Sequence, residues 1–211
     1  MIFVVTAHTR TDEDRNDLAK CTASIRAFHP DGTVFVVNNG LDVLDCSELG
    51  IDAIIDPVQP HYEAGAMWAA YRYAWAYRDS AMCFIQDSMW LEHPIAFDDR
   101  DVLLFDTKKD WFGATKAVRA ATLTQMTHTK YPALASGFQI VQHCSMVASL
   151  DVMHRLSTIG LPAVRPNAKH ESCAYERTLG MCLIHMGHRD EMTDRLLIPD
   201  GVVGKKWKRR K

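Results

Sequence analysis

The sequence lacks the short motifs that identify several common enzyme classes. It contains no GxxxxGK[ST] phosphate loop, no GxGxxG dinucleotide fingerprint and no GxSxG nucleophile elbow. Its ten histidines show no HExxH spacing, and its six cysteines include no CxxC pair. These absences argue against P-loop enzymes, classical dinucleotide-binding enzymes, serine hydrolases and proteins with paired zinc ligands.

Long apolar runs and leader features are missing as well. No run approaches the roughly 18 apolar residues that a membrane-spanning helix needs. The first residues, MIFVVTAHTR, carry neither a basic leader nor a small-residue cleavage site. The cysteines occur singly, several of them inside apolar patterns, so we expect reduced core thiols rather than disulfides or zinc ligands. These features together predict a cytoplasmic protein.

The remaining composition is that of an ordinary globular chain with an uneven charge distribution. Of 211 residues, 47% are hydrophobic and 24% are charged, which allows one compact domain with a sizeable core. The formal net charge is −2, yet the last seven residues, KKWKRRK, include six cations and no acid. We predict one domain over residues 1–204 and a basic tail over 205–211, which either is solvated or meets phosphates.

Strand-like and helix-like patterns alternate along the chain. Apolar runs predict strands at 2–7, 33–37, 53–55, 81–85, 102–105 and 137–142. Apolar residues at helical spacing predict one helix that begins near residue 12, and further helices at 63–78, 146–156 and 171–186. This order predicts an α/β fold, in which a mostly parallel central sheet is flanked by helices.

Polar side chains follow three of the predicted strands. In parallel sheets, ligands bind beyond the carboxyl ends of the strands, so we expect these three strand ends to converge on one site. The residues concerned are Thr6, His8, Arg10, Asn38, Asn39, Gln86, Asp87 and Ser88.

Asp87 stands where the apolar run AMCFI ends in QDS. A carboxylate beside an amide and a hydroxyl offers the hard oxygen ligands that Mg²⁺ or Mn²⁺ prefers. Such a cation would neutralise a diphosphate leaving group. The alternative is that Asp87 caps the following turn through its own backbone.

Glu176 lies within the last predicted helix, on the same face as Leu179, Gly180 and Leu183. Burying a carboxylate on the apolar side of a helix costs free energy, so such a residue is expected to have a charged partner or a function. Desolvation would raise its pKa towards that of a general base. The alternative is a structural ion pair with Arg177 or with another cation at the rim. His170, shortly before this helix, is the histidine that we select as a candidate metal ligand.

The order of these segments resembles a small GT-A-type glycosyltransferase, similar to family 2. The resemblance rests on the strand and polar loop VVTAHTR, the strand VFVVNNG, and the helix EAGAMWAAYRYA directly before the strand AMCFIQDSMWL. The segment AYERTLGM resembles the acidic helix start that supplies the base in inverting members. The resemblance covers roughly residues 1–186, and Gln86-Asp87-Ser88 matches only one acid of the family's Asp-x-Asp motif.

The resemblance implies transfer of a sugar from a nucleotide-diphosphate sugar to an acceptor hydroxyl. Glu176 would be the base, and Asp87 would hold the diphosphate directly or through Mn²⁺ or Mg²⁺. The other polar strand-end residues would bind the donor. The acceptor side would include Trp111, Ser136 and Gly137.

Three rival readings remain at this point. The degraded acidic motif also fits a non-catalytic binding protein of the same fold, whose tail docks nucleic acid or membrane phosphates. A second rival combines sugar transfer with the docking tail, which then guides the enzyme to a polyanionic acceptor. A nucleotidyltransferase is the closest chemical rival, because it also holds metal and diphosphate with acids at a strand end.

Overall fold

A computed structural model of the chain describes residues 1–39, 49–56, 62–76, 81–97, 102–105, 107–109, 111–188 and 203–205. Within these ranges no helix combines the length and the apolar character needed to cross a membrane. The basic tail lies outside the described residues apart from the backbone of Lys205, as does Cys46. The other five cysteines are free thiols, and four of them are buried.

The elements follow one another in a mixed α/β order. The strands are β1 (Ile2–Ala7), β2 (Thr33–Asn38), β3 (Ala53–Ile55), β4 (Ala81–Gln86), β5 (Met89–Leu91), β6 (Val102–Leu104), β7 (Thr107–Lys109), β8 (Gln139–Val141), β9 (Met146–Ser149) and β10 (Val203–Lys205). The α-helices are α1 (Asp12–Phe28), α2 (Tyr62–Ala74), α3 (Lys116–Met126), α4 (Leu150–Thr158) and α5 (Lys169–His185).

Six strands form the central sheet in the order β3-β2-β1-β4-β9-β6. The first four pair in parallel, and β9 runs antiparallel to both of its neighbours. Two short antiparallel pairs, β5 with β10 and β7 with β8, lie outside this sheet. The predicted α/β class with a mostly parallel sheet is therefore confirmed.

The sheet is covered by helices on both faces, because alternate residues of its strands enter two different cores. Val4 and Phe84 belong to the core that includes α2, α4 and α5. Val5 and Ile85 belong to the core beneath α1 and β5. The strands read as continuous apolar runs because both faces of the sheet are buried.

The predicted helix over 146–156 is wrong at its start. Met146–Ser149 is strand β9, which lies between β4 and β6, and the helix begins only at Leu150. Ser149 marks the boundary, since its hydroxyl accepts a hydrogen bond from the Val152 amide at 3.2 Å. The apolar residues of MVASLDVMHRL fit both periods, and this is why the sequence pattern misplaced the boundary.

Other differences concern missed elements and shifted ends. Helix α3 was not predicted, and neither were β5, β7 and β10. Helix α2 begins at Tyr62 and ends at Ala74, four residues before the predicted end. Of its predicted core stripe, Trp68 and Tyr71 are buried, whereas Trp75 is 47% exposed.

Helix α5 packs tightly against β8 and α2, and these contacts fix its position. The Tyr175 hydroxyl accepts a hydrogen bond from the Trp68 indole at 2.7 Å. At Gly180, a Cβ atom would overlap the backbone carbonyl oxygen of Gln139. Only a glycine therefore allows the backbones of α5 and β8 to approach this closely.

We expect Gly180→Ala to destabilise the protein, although alanine is the better helix former by about 1 kcal/mol. The clash involves a backbone atom, so α5 or β8 must move, and overpacking of this kind costs about 1–3 kcal/mol. Urea unfolding would measure the change in the free energy of unfolding. Gly113→Ala is the control, because it adds left-handed backbone strain at a place where no atom lies within 4 Å. Equal or greater stability of Gly180→Ala would contradict the close approach.

Candidate functional site

The carboxyl ends of β1 and β4 meet at the point where the strand order reverses. Because β1 lies between β2 and β4, the three predicted polar strand ends are adjacent. The Asp87 amide donates to the Thr6 carbonyl at 3.0 Å, and the Asp87 side chain accepts from the His8 amide at 2.8 Å. Asp87 is 3% exposed. Asp87 therefore stabilises the loop after β1 through these hydrogen bonds.

The end of β2 adds two amides. Asn38 is half-buried and Asn39 is buried. The Asn39 backbone donates to the Ala7 carbonyl at 2.9 Å, and its side-chain nitrogen donates to the Tyr62 carbonyl at 3.1 Å. Among the described residues, nothing hydrogen-bonds the buried side-chain oxygen of Asn39.

Glu176 lies on the α2 side of the sheet, and its environment favours the neutral form. Burial raises the pKa of this carboxyl from 4.5 to about 7, and the negative charge of Glu63 also raises it. A hydrogen bond from the His143 amide at 3.0 Å to Oε1 opposes the shift, as do the charges of Lys169 and Arg177. The desolvation predicted from the helix pattern is confirmed.

Arg177 does not serve as an ion-pair partner of Glu176. Its guanidinium donates to the carbonyls of Cys173 at 2.6 Å and of Phe112 at 2.7 Å. An ion pair closer than 4.0 Å is formed elsewhere, by Arg26 with Asp52 at 2.7 Å. The contact with Phe112 ties the segment after β7 to helix α5.

Glu63 is the functional candidate that the sequence patterns missed. It lies in the first turn of α2 and is only 6% exposed. Gln86 donates to Oε1 at 2.8 Å, and Ser172 donates to Oε2 at 3.1 Å. Burial raises the pKa of Glu63. The positive charges of Lys169 and His8 and the hydrogen bonds to the carboxylate lower it by more than that, so the net pKa lies below 4.5.

Two buried glutamates on different helices therefore form one site. Ser172, which contacts Glu63, precedes Glu176 by four residues and so lies one turn away on the same face of α5. Their environments move the two pKa values in opposite directions. Glu63 is ionised at neutral pH, whereas Glu176 can take up or release a proton there. Pairs of this kind mark acid–base sites.

Asp87 and Glu176 have different neighbours. Gln86, the last residue of β4, donates to Glu63 on the α2 side, whereas Asp87 in the following turn accepts from the His8 amide in the loop after β1. Burial raises the pKa of the Cys21 thiol on α1, and the charge of Asp87 raises it further. Gln86 and Glu63 thus connect Asp87 to Glu176 across the end of the sheet.

Backbone strain is concentrated around the two glutamates. Within the described ranges, the non-glycine residues with positive φ are Tyr62 (55°), His143 (55°) and Cys144 (52°). Tyr62 precedes Glu63, and His143 donates to Glu176. Each left-handed residue of this type costs about 1–3 kcal/mol, and such strain clusters at functional sites.

The remaining predicted donor residues flank the strand ends. Ser88 is buried. Arg10 is exposed, and its backbone amide donates to Asp14 at 3.1 Å, within the N-terminal cap of α1. The Arg10 side chain is thus free to reach beyond the end of β1.

The predicted acceptor residues lie close to one another. The Trp111 indole donates to the Ala135 carbonyl at 2.9 Å, and its ring packs edge-on against Phe138. Ser136 and Gly137 continue from Ala135 and are exposed, with Gly137 at φ 78°. Ser136 and Gly137 therefore lie in one exposed turn beside Trp111.

His170 lies elsewhere than the strand-end residues. It lines a cavity between α3 and the segment before α5, together with Gln125, His128 and Arg165. Asp87 is not among the residues that line this cavity. Within the ranges that the structure describes, no three His, Cys, Asp or Glu side chains are grouped so as to hold a metal ion. A metal role for Asp87 or His170 stays a prediction.

Comparison with solved structures identifies the fold. A crystal structure of an active-site mutant of LgtC matches with a TM-score of 0.52 and 13% sequence identity, over 100% of this chain and 89% of that chain. A structure of the galactosyltransferase LgtC with donor and acceptor sugar analogues gives 0.49 and 14%, over 97% and 86%. No protein-family model matches the chain, and neither does any curated protein. The likeness to the first structure shows a glycosyltransferase-like fold.

We expect Glu176→Gln to stabilise the protein above pH 7. Because burial raises the pKa of Glu176 from 4.5 to about 7, the native state binds a proton more tightly than the unfolded chain. Stability is then lost as the pH rises from 4.5 to about 7, by about 3 kcal/mol. Glutamine avoids this loss and still accepts from His143.

Urea unfolding at pH 8 and pH 4 measures the effect. The variant should exceed the wild type at pH 8 and match it at pH 4. Glu92→Gln, at an exposed position, should change stability by no more than about 0.5 kcal/mol. A Glu176→Gln protein that is less stable at pH 8 would show that the ionised carboxylate supports the fold.

Proposed function

We propose that this protein is a glycosyltransferase that moves a sugar from a nucleotide-diphosphate donor to an acceptor hydroxyl. The observation that carries the proposal is the buried pair of Glu63 and Glu176, whose pKa values diverge, beside the carboxyl ends of β1 and β4. The shared fold with LgtC supports the choice of transferase chemistry. Fold alone does not define function, so the residues of the site carry the argument.

Glu176 is the general base of the proposed reaction. A group with a pKa of about 7 accepts a proton at neutral pH and is still basic enough to help the attacking oxygen. In one displacement, the acceptor hydroxyl gives its proton to Glu176 while its oxygen bonds to the anomeric carbon. The bond from that carbon to the diphosphate oxygen breaks, and its electron pair leaves with the nucleoside diphosphate. The anomeric configuration inverts.

The donor binds across the ends of β1, β2 and β4. Asn38 and Asn39, at the end of β2, would face the nucleobase or ribose, which amides can hydrogen-bond. His8, Arg10 and Ser88 flank the diphosphate. Trp111 and the turn at 136–137 receive the acceptor.

Mn²⁺ or Mg²⁺ fits this site as a companion of the donor. Asp87 is the one acid at the diphosphate position, and one of its oxygens already accepts from His8. Mg²⁺ is commonly held by one or two carboxylates, substrate phosphates and water. The metal would neutralise negative charge on the diphosphate, and Asp87 would orient it.

The basic tail is a second source of positive charge for the diphosphate. In β10, Lys205 pairs with Met89, two residues after Asp87. The five cations of residues 206–211 would therefore stabilise charge that develops on the leaving group.

Glu176→Gln should abolish sugar transfer and leave donor affinity unchanged, because the amide keeps the shape of the side chain but accepts no proton. In the wild type, kcat/KM should rise with pH to a plateau, with a midpoint of about 7, since the base must be deprotonated. Release of nucleoside diphosphate measures turnover, and calorimetry measures donor binding.

Glu171→Gln is the matched control on the same helix. Glu171 accepts from the backbone amides of Asn167 and Ala168 at the start of α5, and its loss should leave turnover nearly unchanged. Unaltered transfer by Glu176→Gln would remove this residue from the role of base.

Deletion of residues 206–211 should weaken binding of nucleoside diphosphate sugars and make it less sensitive to salt, because fewer cations then meet the phosphates. Thermal shift with a donor panel, with and without Mn²⁺, reads the affinity. Donor binding that is unaffected, together with lost binding to DNA or anionic vesicles, would assign the tail to a polyanionic partner instead.

A further inference from the structure

Glu63 has no assigned step in the proposed reaction, although it joins three elements of the site. It belongs to α2, accepts from Gln86 on β4 at 2.8 Å and accepts from Ser172 on α5 at 3.1 Å. Each of its two carboxylate oxygens therefore has one of these donors. Ser172 lies one helical turn before Glu176, so that Glu63 is in contact with the helix face that presents the base.

The protein maintains this arrangement at an energetic cost. A charged carboxylate that is only 6% exposed loses most of its hydration, and this is unfavourable unless partners replace the water. The preceding residue, Tyr62, adopts a left-handed conformation with φ of 55°, and Asn39 holds its carbonyl at 3.1 Å. A purely structural helix start would need neither the burial nor the strain.

The contact also decides how the amide of Gln86 is oriented. An ionised carboxylate only accepts hydrogen bonds, so the nitrogen of the Gln86 amide must face Glu63. The carbonyl oxygen of that amide is then turned away from Glu63.

We propose that Glu63 is the positioning residue of this site, an inference that rests on the proposed function. Its carboxylate holds the Gln86 amide with the carbonyl oxygen towards the donor, and its negative charge keeps Glu176 a proton acceptor at neutral pH. Glu63 acts through these two residues and takes no proton from the acceptor itself.

Several charged and titratable groups lie around the two glutamates, whose charges in turn raise the pKa values of Cys144 and Cys173. From α5 these are Lys169, Cys173 and Arg177, from the end of β1 His8, and from the segment before β9 His143 and Cys144. Lys169 and Arg177 lower the pKa of Glu176, whereas Glu63 raises it. Without the charge of Glu63, burial still raises the pKa of Glu176, but the two cations are offset less, and the pKa of Glu176 falls.

The test combines a carboxyl titration with kinetics on the full chain. Carbon-13 NMR of labelled glutamate side chains follows Glu176 in the wild type, Glu63→Gln and Glu63→Asp. We expect the midpoint of Glu176 to fall from about 7 by roughly one unit in Glu63→Gln, as for loss of a neighbouring like charge. The pH profile of kcat/KM should move with it.

Glu63→Asp separates the effect of the negative charge from that of the hydrogen bond to Gln86. The shorter side chain keeps the charge but withdraws from Gln86, so the midpoint of Glu176 should stay near 7 while KM for the donor rises about tenfold, the equivalent of one lost hydrogen bond. A merely structural Glu63 would lower stability in both variants and move neither the midpoint nor KM. That result, or an unchanged midpoint in Glu63→Gln, overturns the proposal.

If the variants do not fold, titration of the wild-type protein still tests the proposal. Glu63 titrating below 4.5 while Glu176 titrates near 7 supports the inference, and Glu63 titrating near neutral pH overturns it. These titrations need no turnover. Absence of sugar transfer by the wild type would therefore contradict the proposed function and leave the interaction of the two carboxyls measurable.

Discussion

Two glutamates lose their hydration on the same side of the sheet, and the protein stabilises them in opposite protonation states. Glu63 receives two hydrogen bonds and lies in the field of Lys169, so it stays charged. For Glu176, burial and the charge of Glu63 outweigh the one backbone hydrogen bond that it receives, so its pKa is raised to about 7. Chemistry at neutral pH requires this difference between the two carboxyls.

The rest of the fold holds these two side chains in place. Glycine at position 180 lets α5 approach β8, and β8 leads directly into the left-handed residue His143 that donates to Glu176. On the other helix, left-handed Tyr62 directs Glu63 to the end of β4. Strain at both glutamates is balanced by packing elsewhere, notably the hydrogen bond between Trp68 and Tyr175 that joins the helices.

The sequence predicts the parts of this structure that depend on local pattern. Apolar runs locate β1 and β3 at their observed bounds, and helical spacing predicts the burial of Glu176. The same spacing rule would have found Glu63, which shares a face with Met67 and Ala70. It was overlooked because an acid in the first turn of a helix already has an explanation in the helix dipole.

What the sequence does not predict depends on which helix covers which face of the sheet. Alternation along β4 places Gln86 on the same face as Phe84, but only the packing of α2 and α5 decides that this is the side of Glu176. The local pattern also does not predict strand β9, because its neighbours β4 and β6 come from distant parts of the chain. Contacts of this range require the assembled fold.

The most direct measurement of the central claim is product analysis after incubation of the full chain with a panel of nucleotide sugars and saccharide acceptors. The account predicts release of a nucleoside diphosphate together with a glycoside of inverted anomeric configuration. Release of pyrophosphate would reveal a nucleotidyltransferase. Donor binding without any product would leave a binding protein, and either result would contradict the assignment of a sugar-transfer reaction to this pair of glutamates.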